Sequence, residues 1–173
     1  MLAQIKRILK HRWHSAVPKR HVLAPDLVQR LTQAVAASEQ RHSGEIRIFI
    51  ETSLPLSYLW RQASTQHITR QRALALFGKL RVWDTAHNNG VLIYLLLAEQ
   101  AIELVADRGL NDKVNPQVWQ TMVAGMSAAF KAGRFEDGLS QALAQVSALL
   151  QQHFLLAAGA SNPNELPDAP MLR

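Results

Sequence analysis

The chain has 173 residues, 48% hydrophobic and 18% charged, a balance that supports one domain with a substantial core and excludes wholesale disorder. It contains no cysteine, which excludes disulfides, thiolate nucleophiles and cysteine-ligated zinc. Its net charge is +6, but six of the 19 basic residues and none of the 13 acidic ones precede Asp26, so the remainder of the chain is neutral. The basicity belongs to the N-terminal segment, whereas a nucleic-acid-binding domain carries its charge on the folded face.

In chain order, residues 2–14 show helical periodicity, with Leu2, Ile5, Ile8, Leu9 and Trp13 on one stripe and Lys6, Arg7, Lys10 and Arg12 beside or opposite it. Pro18 and Pro25 bracket a connection, and Pro25 suits the first turn of a second helix that runs to Gln40 and turns Leu27, Val28, Leu31 and Val35 inward. Ser43-Gly44 ends it. Glu45–Glu51 alternates as a strand. Thr52–Ser64 reads as a loop around Pro55 with room for a turn of helix, and Thr65–Leu80 as a helix. Asn89-Gly90 is turn chemistry, and it leads into Val91–Leu97, an apolar strand of the type buried on both faces. Glu99-Gln100 reverses the chain into Ala101–Ala106, so these two strands form an antiparallel hairpin. Asp107-Arg108-Gly109 turns again. Asn115-Pro116 caps a helix to about Ala132, and Phe135–Phe154 forms the last helix on a Leu139, Leu143, Val146 and Leu150 stripe.

The resulting order, α-α-β-α-β-β-α-α, implies an α/β/α sandwich with a small mixed sheet containing an antiparallel hairpin, with Val91–Leu97 at its centre. Three regions follow: a basic amphipathic helix and linker over 1–22, an α/β domain over 23–154, and a flexible tail over 155–173 with Pro163, Pro167 and Pro170. No apolar run reaches the roughly 20 residues of a spanning helix, since the longest is Val91 to Ala98. No secretory signal is read at the start, and the expectation is a cytoplasmic protein.

No phosphate-cradling glycine loop, GxSxG elbow or HExxH pair occurs. His11 and His14 are spaced to share a metal but lie among cations, which disfavours ligation. Two polar turns hold more chemistry. One contains Asp84, Asn88 and Asn89, the other Asp107 and Asp112, and antiparallel pairing of the strands brings the two to one end of the sheet. Oxygen donors of this kind suit Ca2+ or Mg2+. The same residue types also cap helices and close turns with no metal involved.

These stretches carry a resemblance. Asn89-Gly90-Val91-Leu92-Ile93-Tyr94-Leu95, the strand and turn from Ile102 to Leu110, Ser43-Gly44-Glu45-Ile46-Arg47 and the run from Phe130 to Gly138 together resemble the TPM domain family over about residues 26–154. The resemblance implies a compact α/β/α sandwich. It also implies roles in which family members have been linked to acid phosphatase activity, calcium binding and maintenance of photosystem or membrane complexes. Many members have Asp where Asn88 stands, and its loss removes formal charge from a cation site. Many also carry a signal peptide and membrane tail that are not read here, which points to a shorter cytoplasmic branch often encoded beside a membrane-bound relative.

Two functions stay open at this stage. One is a non-catalytic interaction domain with a protein partner, whose basic helix (Lys6, Arg7, Lys10, Arg12) touches an anionic membrane surface or instead packs on its own core. The other is a metal-assisted acid phosphatase acting on phosphate monoesters at the acidic turns.

Overall fold

The computed structural model describes residues 2–15 and 24–173. The elements are α1 (Leu2–Ser15), α2 (Pro25–Glu39), β1 (Ile46–Glu51), α3 (Leu56–Leu59), α4 (Thr65–Lys79), β2 (Val91–Leu96), β3 (Ala101–Ala106), α5 (Arg108–Asn111), α6 (Pro116–Lys131), α7 (Phe135–Phe154) and β4 (Met171–Leu172). The linker expected up to residue 22, and the side chain of Leu2, lie outside the described residues.

The four strands form one mixed sheet in the order β3-β2-β1-β4. β2 pairs in parallel with β1, Ile46 opposite Val91, and antiparallel with β3, Val91 opposite Ala106. The apolar strand is therefore interior, as its composition requires, and all six of its residues are buried. Period-2 alternation divides the core between two faces. Ile46, Ile48, Ile50, Val91, Ile93, Leu95, Ile102 and Leu104 pack with α2, α6 and α7, whereas Phe49, Leu92, Tyr94, Leu96 and Val105 pack with α3 and α4. On the second face Arg72 of α4 makes a bidentate pair with the buried Glu51 at 2.9 and 2.7 Å, and Tyr94 donates its hydroxyl to the same carboxylate at 2.8 Å.

The turn of helix admitted within Thr52–Ser64 is α3, whereas the Asp107 turn continues into a helix, α5, that the sequence reading does not include. The C-terminal stretch expected to be flexible is tied to the domain: Met171 and Leu172 pair in parallel with Phe49 and Ile50, and Leu166 is buried in the second core face. Prolines along 163–170 prevent a continuous strand but not docking, because Thr52 N–H also donates to Arg173 O and Arg173 N–H donates to Ile50 O, both at 2.9 Å.

α1 is docked on its own domain, one of the two placements the sequence leaves open, and the unexpected feature is the face it uses. Its contact face is mostly polar, Gln4, Arg7 and His11 with Ile8 packed against the second core face, spaced by three and four residues. Gln4 donates to Trp60 O at 2.7 Å, and Arg7 donates to the carbonyls of Leu59, Arg61 and Ala63 at 2.6, 2.7 and 3.2 Å. These carbonyls lie at and just beyond the end of α3, where main-chain acceptors are left over. Lys10 and His11 both reach Glu99. Among the described residues, no helix is long and apolar enough to cross a membrane.

Candidate functional site

The strand register brings the starts of β1 and β2 and the end of β3 to one end of the sheet, so the two polar turns meet there. The main chains lock closely. A Cβ on Gly90 would stand 2.0 Å from the Val82 carbonyl oxygen, and one on Gly109 would stand 2.5 Å from that of Asn88. Only glycine permits either approach. Gly109 N–H donates to Asn88 O at 2.9 Å, and Asp107 N–H donates to Gly90 O at 2.9 Å. Asn88 has φ +51°, a left-handed conformation that asparagine tolerates.

Of the five residues expected to gather here, Asn88, Asn89 and Asp107 do. Asn89 is buried; its main-chain N–H donates to Thr85 Oγ1 at 3.1 Å and its Nδ2 to Ser43 Oγ at 3.3 Å. Asp107 caps α5, with Oδ1 accepting the Arg108 N–H at 2.7 Å. The remaining oxygens, Asn89 Oδ1 and Asp107 Oδ2, are buried and have no hydrogen-bond partner. Asp84 is instead paired with Arg81 at the surface, and Asp112 closes α5 with its N–H on Arg108 O. The Arg108 guanidinium donates to Asn88 Oδ1 at 3.2 Å, supplying positive charge where a cation would need a ligand. One carboxylate oxygen and one amide oxygen beside an arginine do not fit a hard divalent ion, which takes six or more oxygens. Among the described residues, no three His, Asp or Glu side chains are grouped to hold a metal.

The carboxylates buried at this end are others. Glu39, in the last turn of α2, accepts the Ile46 N–H at 2.8 Å, and Glu45 accepts the Leu166 N–H at 3.0 Å. Burial, reinforced by the nearby Glu45 and Asp168, pushes the Glu39 carboxyl up to about 8, so it holds its proton near neutrality. Burial also raises Glu45. The segment around 160–169 roofs the pair: Arg47 donates to the carbonyls of Pro167 and Ala169, and Glu165 accepts the Ala86 N–H. A cavity of about 310 Å³ remains between Glu39, Asn162, Asn164 and Asp168. The sequence pattern does not mark these acids as a pair, since the helix of Glu39 is read only for its apolar face and the roof as a tail.

The other candidate surface is the outer side of α1. Lys6 and Arg12 are exposed; Arg7 holds the helix to α3 and Lys10 holds it to Glu99. The docked face is mostly polar and takes only Ile8 of the apolar stripe, so the rest of the described stripe points outward: Ile5, Leu9 and Trp13 are 49%, 62% and 78% exposed. Leu56 and Trp60, at the two ends of α3, are 63% and 65% exposed. Hydrogen bonds tie Leu54 to His11, Trp60 to Gln4 and Ala63 to Arg7, so the stretch carrying Leu56 and Trp60 lies beside α1.

A family model described as TPM domain matches residues 17–149, more than half of the chain. The chain belongs to the TPM domain family. The solved structure of the BA42 protein from the psychrophilic bacterium Bizionia argentinensis is 25% identical, covers 87% of this chain and 95% of its own, and superposes with a TM-score of 0.71. The N-terminal domain of a protein from P. gingivalis is 18% identical, with a TM-score of 0.58 over 83% of this chain and 96% of that one, and shares the fold. No curated protein matches the sequence. The TPM match ends before residue 150, so the roof over Glu39 and Glu45 and the β4 strand lie beyond it, and α1 lies before it.

Proposed function

We propose that this TPM-domain protein is a non-catalytic interaction module associated with membrane-bound partners at the inner face of the membrane. The observation that supports the reading is the inverted docking of α1. A terminal amphipathic helix that served only its own core would bury Ile5, Leu9 and Trp13, and here they are the exposed ones. A contiguous exposed apolar patch rimmed by cations marks a contact surface. Cell fractionation of the full chain tests it. The wild type is expected with the membranes, and an Ile5→Ser, Leu9→Ser, Trp13→Ser variant in the soluble fraction. A wild type found entirely in the soluble fraction would sink the reading.

The alternative, an acid phosphatase acting on phosphate monoesters, needs a cation to bind phosphoryl oxygens and activate water. The donor set at the Asn89 turn, with the Arg108 guanidinium beside it, fits such an ion poorly.

A further inference from the structure

We propose that the α1–α3 face is a lipid-binding face that lies flat on an anionic bilayer, with Trp13 and Trp60 seated among the headgroups and acyl boundary. The proposal rests on the reading of this face as the contact surface and names its occupant. Charge selects the occupant. The stretches 1–25 and 52–83, which include α1, α3 and α4, contain no acidic residue at all. Two carboxylates do approach the face from behind it. Glu99 is held by Lys10 and His11, and Glu51 is buried against Arg72. Lys6 and Arg12 are exposed and adjoin Ile5 and Trp13 in the chain, and Arg61, also exposed, stacks on Tyr58. A surface with cations and no free carboxylate complements phosphate headgroups.

Shape agrees with charge. Ile5, Leu9 and Trp13 are spaced by four residues, one line about 12 Å long on the helix. An interfacial helix lies in the plane of the membrane with such a line inserted and cations at the phosphate level. Tryptophan, with an apolar body and one N–H, is the side chain suited to that depth. The helix needs no folding on contact, because Gln4, Arg7 and His11 already hold it in place. The ordering cost that weakens an isolated short amphipathic peptide is therefore absent.

The test is co-sedimentation of the full chain with vesicles of phosphatidylcholine alone and of phosphatidylcholine mixed with phosphatidylglycerol. The wild type is expected to pellet with the anionic vesicles at low salt, to release at high salt, and to show a blue shift of tryptophan emission on binding. Trp13→Ala combined with Trp60→Ala should lose both pelleting and shift while keeping the wild-type circular dichroism and melting temperature, since both rings are exposed. Lys6→Glu should lower pelleting on anionic vesicles and leave the fold intact. A wild type that stays in solution with both vesicle types overturns the proposal, as does a double variant that pellets like the wild type. If the wild type ignores vesicles while its membrane fractionation in cells still depends on Ile5, Leu9 and Trp13, the lipid assignment fails and the contact-surface reading survives, with a protein as the occupant.

Discussion

His11 Nε2 lies 2.9 Å from Glu99 Oε1, while the other ring nitrogen, Nδ1, accepts the main-chain N–H of Leu54 at 3.0 Å. The buried imidazole therefore joins α1 to two separate parts of the domain. His11→Ala leaves the Leu54 N–H without an acceptor and Glu99 without one of its two partners, and each orphaned group costs about 1–3 kcal/mol. Denaturant unfolding should show a loss of about 2–4 kcal/mol. An unchanged midpoint would mean that α1 is not held in this way.

The second prediction concerns the acid on the α4 face of the sheet. Arg72→Ala strands the Glu51 carboxylate, 1% exposed, in the core, and breaking a buried pair on one side costs about 3–5 kcal/mol. Tyr94→Phe removes a single hydrogen bond while Arg72 remains, for about 1 kcal/mol. Equal losses in the two variants, read by urea unfolding, would contradict this division of roles.

Glu39 and His42 give stability a pH dependence of opposite senses. The folded Glu39 carboxyl is raised from 4.5 to about 8, so its contribution is present below pH 4.5 and is lost as pH rises toward 8. His42 is lowered by burial from 6.5 to about 4, so its contribution is present above pH 6.5 and is lost as pH falls toward 4. Glu39→Gln keeps an acceptor for the Ile46 N–H and removes the titration. Between pH 5 and 6.5 the two slopes oppose each other, so unfolding midpoints measured from pH 6.5 to 8 should fall with pH in the wild type and flatten in the variant. Parallel curves would show that Glu39 does not carry the slope.

Calcium titration by calorimetry checks the poor fit of the Asn89 turn. Neither the wild type nor Asp107→Ala is expected to give a binding heat at millimolar calcium. A heat in the wild type that disappears in Asp107→Ala would reinstate a cation site on the Asp107 and Asn89 oxygens.

How much of this was legible follows from where the physics is local. Alternation in Glu45–Glu51, the apolar run from Val91 and the Asn115-Pro116 cap each report on their own neighbourhood, and they led directly to the sheet, its central strand and the hairpin. The meeting of the two polar turns was legible for the same reason, being fixed by hairpin register. The ligand set was not, because Arg81 and Arg108 compete for Asp84 and Asn88 through side-chain geometry that spacing does not encode. Periodicity located the stripe on α1 but not its direction. Three unsatisfied carbonyls beyond α3 attract Arg7, and that demand turns the polar face inward. Met171 and Leu172 are too few for a strand signal, and only the open edge of β1 explains them.

The sheet register also implies an order of assembly. The β2–β3 hairpin closes over a reversal at 97–100, whereas Ile46 must find Val91, and Phe49 must find Met171, across far longer stretches of chain. Closure entropy grows with the length of the loop, and distant pairings slow folding. The hairpin is thus the natural nucleus, β1 adds to a template already formed, and β4 together with the roof over Glu39 arrives last. The final event in folding is then the one that seals the two buried acids from water, so refolding followed by tryptophan fluorescence and by hydrogen exchange at Ile46 and Leu166 should report different times.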